Sequence, residues 1–381
     1  MKHSPSEEPL VDGVAIRSIP KISLHDHLDG AVRPMTLIEL AAEMNIDIPE
    51  TSAGPLIEWI ACQSSSGSLV DYLKTFDITV AVMQSREALR RIAREFVEDL
   101  VEDGVVYGEV RWAPELHTQR GLTMVEAVGA VQQGINDGIE DSKAGGNYVD
   151  VRQILSAIRH SSNSLEVAKL ALKYREETVV GFDIAGREDG FPASSHTNAF
   201  TLLASEFFPV TIHAGEAAGL PSIRSALLDG RAIRLGHGVR IAEDINGDGT
   251  FPHLTNAVCG ELASWVRDRR IPLELSPTSN LQTGATAAWG PTLESHPFDL
   301  LYRLGFTVTV NVDNRTMSST SMTRELQLLV ETHGYGIEDL KTFQLNAAGG
   351  AFLPIARQEH LVELIAEKFA ALVGDNAPTD P

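Results

Sequence analysis

Residues 21–30 read KISLHDHLDG, an apolar run that ends in two histidines and two aspartates before a glycine. The run is typical of a β-strand that is covered on both faces. His25 and His27 are two residues apart, so their side chains point to the same face of that strand. If the strand belongs to a barrel, that face is the interior, and both imidazoles can bind one metal ion. An isolated pair of this kind indicates a site only weakly.

Seven further apolar, mostly β-branched runs follow along the chain. The eight predicted strands are 21–27, 105–114, 149–159, 179–186, 208–215, 234–239, 271–280 and 307–314. Helical patterns, several with an N-capping residue and an apolar stripe, fill the gaps between them. They cover 85–104, 123–137, 164–177, 194–207, 256–270 and 296–305. Strands that alternate with helices in this way predict an α/β fold, a (β/α)8 TIM-type barrel.

A doubly wound open sheet is the alternative architecture. It normally places a glycine fingerprint directly after the first strand, whereas here the strand ends in HDHLDG at 25–30. The open sheet also gives no reason for polar residues to follow most of the strands. A barrel does, because its active site is built at the C-terminal mouth. The barrel is therefore favoured.

The predicted organisation is one barrel domain with short tails. Residues 1–18 and 371–381 have the polar composition of tails, which leaves 19–370 as a single barrel. Residues 30–104 form a helical insertion after the first strand, far longer than one connecting helix requires. An insertion at this point would lie over the mouth and could act as a lid.

The formal net charge of −21 restricts the partners. Such a charge repels phosphate backbones and anionic membranes, but it does not exclude a small neutral ligand. The N-terminal residues lack the apolar region of a signal peptide, and no apolar run is long enough to span a bilayer. The two cysteines have no metal-ligand or disulfide-framework spacing. We expect a cytoplasmic protein that binds neither nucleic acid nor membrane.

Two later strands end in groups that would complete a metal site. His213 ends the fifth strand and Asp313 ends the eighth. With His25 and His27 they supply three neutral nitrogens and one carboxylate and leave a position for water, as catalytic zinc sites do. Glu216 would lie at the mouth beside the metal, where shielding from water raises the pKa of a carboxyl group and lets it donate a proton.

His237, between two glycines at the end of the sixth strand, would lie close to a metal-bound water. There it could accept a proton and stabilise the developing hydroxide. Each residue has a structural alternative: Glu216 as a carboxylate at a helix N-terminus, and His237 as a hydrogen-bonded core histidine. Their place among four agreeing segments favours catalytic roles in a mononuclear metal hydrolase.

Six segments resemble the successive motifs of the adenosine deaminase family of metal-dependent, amidohydrolase-type barrels. They are SLHDHLDGAVRP (23–34), VVGFDIAGRE (179–188), VTIHAGEAAG (210–219), RLGHGVR (234–240), LELSPTSNLQTGA (273–285) and TVTVNVDN (307–314). The likeness runs from about residue 20 to 350, in the family's order and spacing. The pair HAGE and GHG is its most specific part.

The resemblance implies one zinc ion per chain and a set of roles. The zinc ligands would be His25, His27, His213 and Asp313. Glu216 would donate a proton to the purine N1, and His237 would lie beside the attacking hydroxide. The substrate-binding residues would be His27, Asp29, Gly186 and Asn314. Of these, Asp29 would hold the ribose 5′-hydroxyl and the backbone N–H of Gly186 would contact N3.

The chain departs from the family pattern at two positions. Asn314 stands where a second aspartate is usual; that position donates to N7, and an amide can also donate. Asp26 stands where an aliphatic residue is usual, and its side chain is predicted to point away from the barrel interior.

The resemblance implies hydrolytic deamination of adenosine and 2′-deoxyadenosine to inosine and deoxyinosine, with release of ammonia, in purine salvage. A deaminase of adenine or aminofutalosine, or an inactive nucleoside-binding barrel, is the alternative. No zinc ligand or proton donor is missing, which disfavours the inactive barrel. A binuclear hydrolase would need a bridging lysine near the end of the fourth strand, and 183–187 contain none.

Overall fold

The structure is a computed structural model that describes residues 9–375. Eight parallel strands form its centre. They are β1 (Lys21–His27), β2 (Val105–Trp112), β3 (Asp150–Ile158), β4 (Val179–Ala185), β5 (Thr211–Ala214), β6 (Arg234–His237), β7 (Leu273–Leu275) and β8 (Val308–Val310). Each lies within or overlaps a predicted strand, although β5–β8 are only three or four residues long.

Backbone contacts close these strands into a barrel. β1–β4 form one four-stranded parallel sheet and β5–β8 a second. Phe182 pairs with Val210 at one seam, and Asp26 pairs with Asp313 at the other. At the second seam the N–H of Asp313 donates to the carbonyl of His25 at 3.0 Å, and the N–H of His27 donates to the carbonyl of Asp313 at 2.8 Å. The predicted (β/α)8 barrel is confirmed.

Helices surround the barrel and connect its strands. After β2 they are α6 (Met124–Ala144), α7 (Ser164–Lys173), α8 (Thr197–Ser205), α9 (Leu220–Leu228), α10 (Glu261–Asp268), α11 (Pro277–Gln282), α12 (Phe298–Arg303), α13 (Met322–His333), α14 (Ile337–Gly350) and α15 (Ile355–Asp375). In residues 9–375, no helix is both long and apolar enough to cross a membrane.

The helix predicted over 256–270 begins only at Glu261. Residues Thr255–Cys259 instead pair with Ile245–Asp248 in an antiparallel hairpin. The reason is local: Gly260 has extended backbone angles and forms the N-cap of α10, so the apolar pattern before it belongs to a strand.

The insertion after β1 consists of five helices. They are α1 (Pro34–Met44), α2 (Ala53–Ser64), α3 (Leu69–Leu73), α4 (Phe76–Val82) and α5 (Arg86–Glu102). The last is the helix that returns the chain to β2; its apolar face, which includes Phe96, is buried. Side chains of α3 and α4 line the cavity at the mouth of the barrel. The insertion therefore covers the mouth.

The predicted tails are too long. Residues 1–8 and 376–381 lie outside the described residues, but Leu10–Val11 and Val14–Ala15 form a hairpin and α15 extends to Asp375. The hairpin buries Val11 and Val14. Its turn residue Asp12 accepts the N–H of Ile337 at 2.7 Å, at the start of α14. A few apolar side chains and one helix cap are thus enough to fold a segment of polar composition.

Candidate active site

One cavity of about 310 Å³ opens at the C-terminal mouth of the barrel. Eight of the nine site residues predicted from the sequence line it: His27, Asp29, Gly186, His213, Glu216, His237, Asp313 and Asn314. The ninth, His25, is fully buried beneath them. Strands 1, 4, 5, 6 and 8 bring these residues together because parallel strands of a barrel end at the same rim.

Three imidazoles and one carboxylate meet at the ends of β1, β5 and β8. Asp313 Oδ1 lies 3.1 Å from His25 Nε2 and 3.4 Å from His27 Nε2. His27 Nε2 also lies 3.1 Å from His213 Nε2. Four ligands about 2.1 Å from one tetrahedral zinc ion are about 3.4 Å apart. The separations therefore fit one shared metal ion.

Carboxylates behind two of these histidines fix the positions of their protons. His25 Nδ1 lies 2.9 Å from Glu274 Oε2, and His213 Nδ1 lies 2.8 Å from Asp183 Oδ2. A neutral imidazole that donates from Nδ1 presents the lone pair of Nε2 to the site. The Nε2 lone pair of His25 then faces the carboxylate of Asp313. Either a proton or a metal ion between these two atoms makes their contact favourable, and three imidazoles with one carboxylate are a donor set that fits a metal.

A second grouping of four residues, with His237 in place of His27, also fits a metal ion. Ligand atoms of His25, His213, His237 and Asp313 all lie within 4.8 Å of one another. The third histidine of the set is thus either His27 or His237 on distance alone. Burial lowers the pKa of both His27 and His237 well below the usual value for histidine, so both are neutral.

Two of the site residues have uncommon backbone conformations. His237 has φ +60° and Asp313 has φ +61°, in the left-handed region that non-glycine residues rarely occupy. Both directly end or follow barrel strands. Such strain clusters at functional sites, where surrounding contacts enforce it. For Asp313, the contact is the hydroxyl of Ser279, which donates to Oδ2 at 2.6 Å.

Glu216 is buried beside His237, with 3.6 Å between Oε2 and His237 Nε2. Burial raises the pKa of its carboxyl well above the usual value, and the charges of Asp313 and Glu188 raise it further. Glu216 therefore carries a proton at neutral pH and can act as an acid.

Glu188 holds the loop that carries Glu216. Its carboxylate accepts four successive backbone N–H groups, those of Gly215 (2.7 Å), Glu216 (3.1 Å), Ala217 (2.6 Å) and Ala218 (2.9 Å). The sequence interpretation missed this residue, although it stands two positions after Gly186 in a quoted motif. Its role depends on how the loop after β4 packs against the loop after β5, and a local sequence pattern does not indicate such a contact.

A buried charge cluster forms the layer below the histidines and was also missed. Glu274 binds Arg111 at 2.6 Å and also contacts Arg234, which binds Glu109 at 2.5 Å. Burial alone would raise the pKa of Glu274, but Arg111 and Arg234 hold it well below the usual value. Glu274 is therefore ionised and is a strong acceptor for His25.

The predicted substrate-binding residues Asp29, Gly186 and Asn314 line the same cavity as the metal cluster. Burial raises the pKa of Asp29 to about 6, and its Oδ1 has no hydrogen-bond partner. Gly186 has φ +94°, which favours glycine there. Asn314 is 3% exposed, with Oδ1 unpartnered. These unpaired polar atoms line a cavity and are available to a ligand.

The remaining wall is apolar and was not predicted. Helices α3 and α4 contribute Leu69, Tyr72, Leu73, Phe76 and Val80. Among the described residues that line the cavity there is no lysine or arginine, while Asp29 and Asp77 add acidic groups. The cavity thus favours a flat, uncharged ligand with a few polar atoms.

Asp26 points away from this cavity, as predicted. Its Oδ2 lies 2.9 Å from Nε of Arg315, whose guanidinium lies 4.3 Å from the ring centroid of Phe96 on α5. The side chain of Asp26 therefore lies between β1 and helix α5. Its presence in place of an aliphatic residue does not change the face of β1 that carries His25 and His27.

Fold and site together define an enzyme of the metal-dependent barrel class. The family described as adenosine deaminase matches residues 20–368. An adenosine deaminase of Mycobacterium ulcerans is 50% identical over 375 residues, which are 97% of this chain and 100% of that relative. The chain belongs to the adenosine deaminase family and is a hydrolase that acts on a carbon–nitrogen bond.

Two solved structures are similar along nearly their whole length. A zinc-bound amidohydrolase of Burkholderia ambifaria has a TM-score of 0.79 at 24% identity, covering 94% of this chain and 93% of that one. ADAL of arabidopsis, solved with IMP, has a TM-score of 0.77 at 26% identity, covering 93% and 98%. Both support the barrel fold.

Proposed function

We propose that the protein deaminates adenosine and 2′-deoxyadenosine hydrolytically, in the cytoplasm and as part of purine salvage. Water replaces the 6-amino group, and the products are inosine or deoxyinosine and ammonia. The observation that carries the proposal is a protonated Glu216 beside a three-histidine, one-aspartate cluster, both in a cavity of nucleoside size. The name of the M. ulcerans relative supports the same reaction.

We propose that one zinc ion per chain is held by His25, His27, His213 and Asp313. The carboxylates behind His25 and His213 leave Nε2 lone pairs facing each other and the carboxylate of Asp313. When bound, zinc supplies a Lewis acid that activates water at neutral pH. The B. ambifaria amidohydrolase was solved with bound zinc, which supports this metal over others.

The residues of the chain supply the rest of the chemistry. Attack at C6 moves electrons onto N1 of the ring, and Glu216 donates its proton there; one proton of the water leaves with the amino group as ammonia and the other restores the Glu216 carboxyl. His237 contacts the reacting oxygen, since its Nε2 faces the same space as the Glu216 carboxyl. The apolar walls exclude bulk water and strengthen both polar contacts.

The substrate residues favour a nucleoside over its 5′-phosphate. Asp29 accepts the 5′-hydroxyl, the N–H of Gly186 donates to N3, and the amide of Asn314 donates to N7. The purine packs on side chains of α3 and α4 such as Phe76. A 5′-phosphate would meet Asp29 and Asp77 with no cation among the described lining residues, so electrostatic repulsion disfavours it.

The test is the change of ultraviolet absorbance on mixing the purified protein with single substrates. Adenosine and 2′-deoxyadenosine should react, and AMP, adenine and aminofutalosine should react far more slowly. Faster turnover of adenine or aminofutalosine than of adenosine would refute the substrate assignment. No turnover of any aminopurine by the zinc-loaded protein would refute the proposed function.

A further inference from the structure

Behind His237 lies a chain of buried hydrogen bonds that the mechanism above does not use. His237 Nδ1 is 3.0 Å from Asn280 Nδ2. Asn280 Oδ1 is 3.3 Å from His296 Nε2. The backbone N–H of Phe298 donates to His296 Nδ1 at 3.0 Å. The side chains of Asn280 and His296 are fully inaccessible, and His237 is 1% exposed.

Backbone donors fix the direction of every bond in this chain. Because the N–H of Phe298 can only donate, His296 Nδ1 accepts, and the proton of the neutral ring is on Nε2. His296 therefore donates to Asn280 Oδ1, which also accepts the backbone N–H of Ser276 at 3.4 Å. The amide oxygen is thus identified by two donors. Its nitrogen must face His237, and an amide nitrogen can only donate.

His237 Nδ1 is consequently an acceptor, and the single proton of its neutral ring is on Nε2. That nitrogen faces Glu216 Oε2 at 3.6 Å across the site. A protonated Nε2 has no lone pair for a metal, which removes His237 from the competing ligand set and leaves His27 as the third histidine. It also has no capacity to accept a proton from water.

We infer that Asn280 and His296 are positioning residues that hold His237 with its proton on Nε2, so that His237 acts as a hydrogen-bond donor to the reacting oxygen and not as a base. The inference rests on the proposed function for the identity of the reacting oxygen, but the position of the proton does not depend on it. The role suggested for His237 by the sequence, acceptance of a proton, is replaced by donation.

The placement of Asn280 gives this arrangement a second purpose. Asn280 and its neighbour Ser279 lie on α11, and the hydroxyl of Ser279 donates to Asp313 Oδ2 at 2.6 Å. One short helix thus orients both the aspartate of the metal set and the histidine opposite it. His296 anchors the far end, because its ring accepts the N–H of the first residue of α12.

The decisive experiment is ¹⁵N NMR of the histidine rings through multiple-bond ¹H–¹⁵N correlation, on the zinc-free and the zinc-loaded protein. His237 and His296 should show a protonated Nε2 and an unprotonated Nδ1. His117 is an internal control with the opposite tautomer, because its Nδ1 lies 3.0 Å from the carbonyl oxygen of Met83. Variants of each histidine assign the signals. A proton on Nδ1 of His237 overturns the inference, whatever the enzyme's activity.

Variants at Asn280 and His296 test the consequence for catalysis. Asn280→Asp replaces the donor by an acceptor and should move the His237 proton to Nδ1. The kcat should fall about 10²–10³-fold, as when one preorganised donor is lost, with KM and zinc content close to wild type. Asn346→Asp is the matched control, because Asn346 Nδ2 donates to the carbonyl of Val308 in another part of the barrel, at 3.0 Å.

His296→Gln should retain activity, since its amide can accept from Phe298 and donate to Asn280, whereas His296→Leu should lose it in part. Equal activity of Asn280→Asp and wild type would overturn the positioning role. Should wild type fail to deaminate adenosine, the NMR result would still decide where the proton lies, so the two failures are distinct.

Discussion

At the scale of single residues, Glu216 differs from an ordinary carboxylate only through its surroundings. Burial and two neighbouring negative charges keep it protonated. Glu216→Gln retains shape and hydrogen bonding but has no proton to transfer to N1. We expect kcat to fall by about 10²–10⁴-fold, the usual contribution of a general acid, with substrate binding and zinc content unchanged. Steady-state kinetics and metal analysis check this; near-normal turnover would contradict the assigned role.

Glu188 contributes to the pKa of Glu216 as well as to its position. The proposed mechanism uses the protonated form of Glu216, so kcat should fall as the pH rises through its pKa. Glu188→Gln removes a negative charge that favours the protonated form; the pKa of Glu216 should decrease, and the basic limb of kcat should move to lower pH. Glu115→Gln is the control, because Glu115 accepts the N–H of Ile158 at 2.8 Å and does not contact the 215–218 loop. If the high-pH limb of the kcat profile of Glu188→Gln moved to higher pH, the proposed effect of the Glu188 charge on the pKa of Glu216 would be wrong.

Asn314 stands where a second aspartate is usual and lines the cavity, and we propose that its amide NH2 donates to the purine N7. A 7-deaza nucleoside lacks that acceptor and should bind more weakly by about 1 kcal/mol, roughly fivefold. Asn314→Leu should lose affinity for adenosine and respond little to the 7-deaza change, whereas Asn314→Asp should stay active because a protonated carboxyl also donates. The readout is KM for both nucleosides. If wild type treats the two alike, Asn314 does not contact N7.

The sequence predicted the histidines and Asp313 because they stand at or near the ends of apolar runs, where barrel strands place functional groups, whereas Asp29, Gly186 and Asn314 were assigned from the family resemblance. It missed Glu188, Glu274, Asp183 and Asn280, which act on those residues through contacts between distant segments. A carboxylate inside an apolar strand, such as Glu274, does indicate a buried partner. Which histidine it orients depends on how β1 and β7, which do not pair with each other, are placed across the closed barrel.

At the scale of elements, α3 and α4 close the cavity and supply its apolar wall. Phe76 is half-buried there and lies 5.9 Å from the ring centroid of Tyr72. Phe76→Ala should raise KM for adenosine about 10- to 100-fold, since burying a phenylalanine side chain is worth about 1.5–3 kcal/mol. The kcat should change little if the contact is equal in ground and transition states. Phe207→Ala, at a side chain 92% exposed on the loop before β5, is the control.

Element boundaries show where local pattern and tertiary structure differ. Strands β5–β8 are shorter than predicted: β5 begins at Thr211 and not at 208, and β7 ends at Leu275 because Pro277–Gln282 forms helix α11. The insertion was recognised by its length and its last helix, α5, was predicted over 85–104, but α2, α3 and α4 were not separated from one another. We propose that α3 and α4 move to admit substrate.

At the scale of the whole molecule, most of the charge in the layer under the metal site is neutralised within the protein. Arg111 and Arg234 face Glu109, Asp183 and Glu274, so one of three negative charges remains and most of the layer is neutralised without a metal cation. The apolar contacts between strands and surrounding helices are likewise independent of the site. The fold and the metal are therefore separable, unlike in small domains that fold around zinc.

This separation predicts the behaviour of the zinc-free protein. The purified protein should contain about one zinc per chain, the number that one set of four ligands and an open position accommodates. Chelation should abolish deamination while far-ultraviolet circular dichroism stays close to that of the loaded protein. The melting temperature should fall, because a ligand that binds only the folded state stabilises it, and both properties should return when zinc is added. His213→Ala, which removes a ligand, should reproduce the zinc-free state without chelator. Two tightly bound metals per chain, or loss of the fold with the metal, would contradict a single site on a self-sufficient barrel.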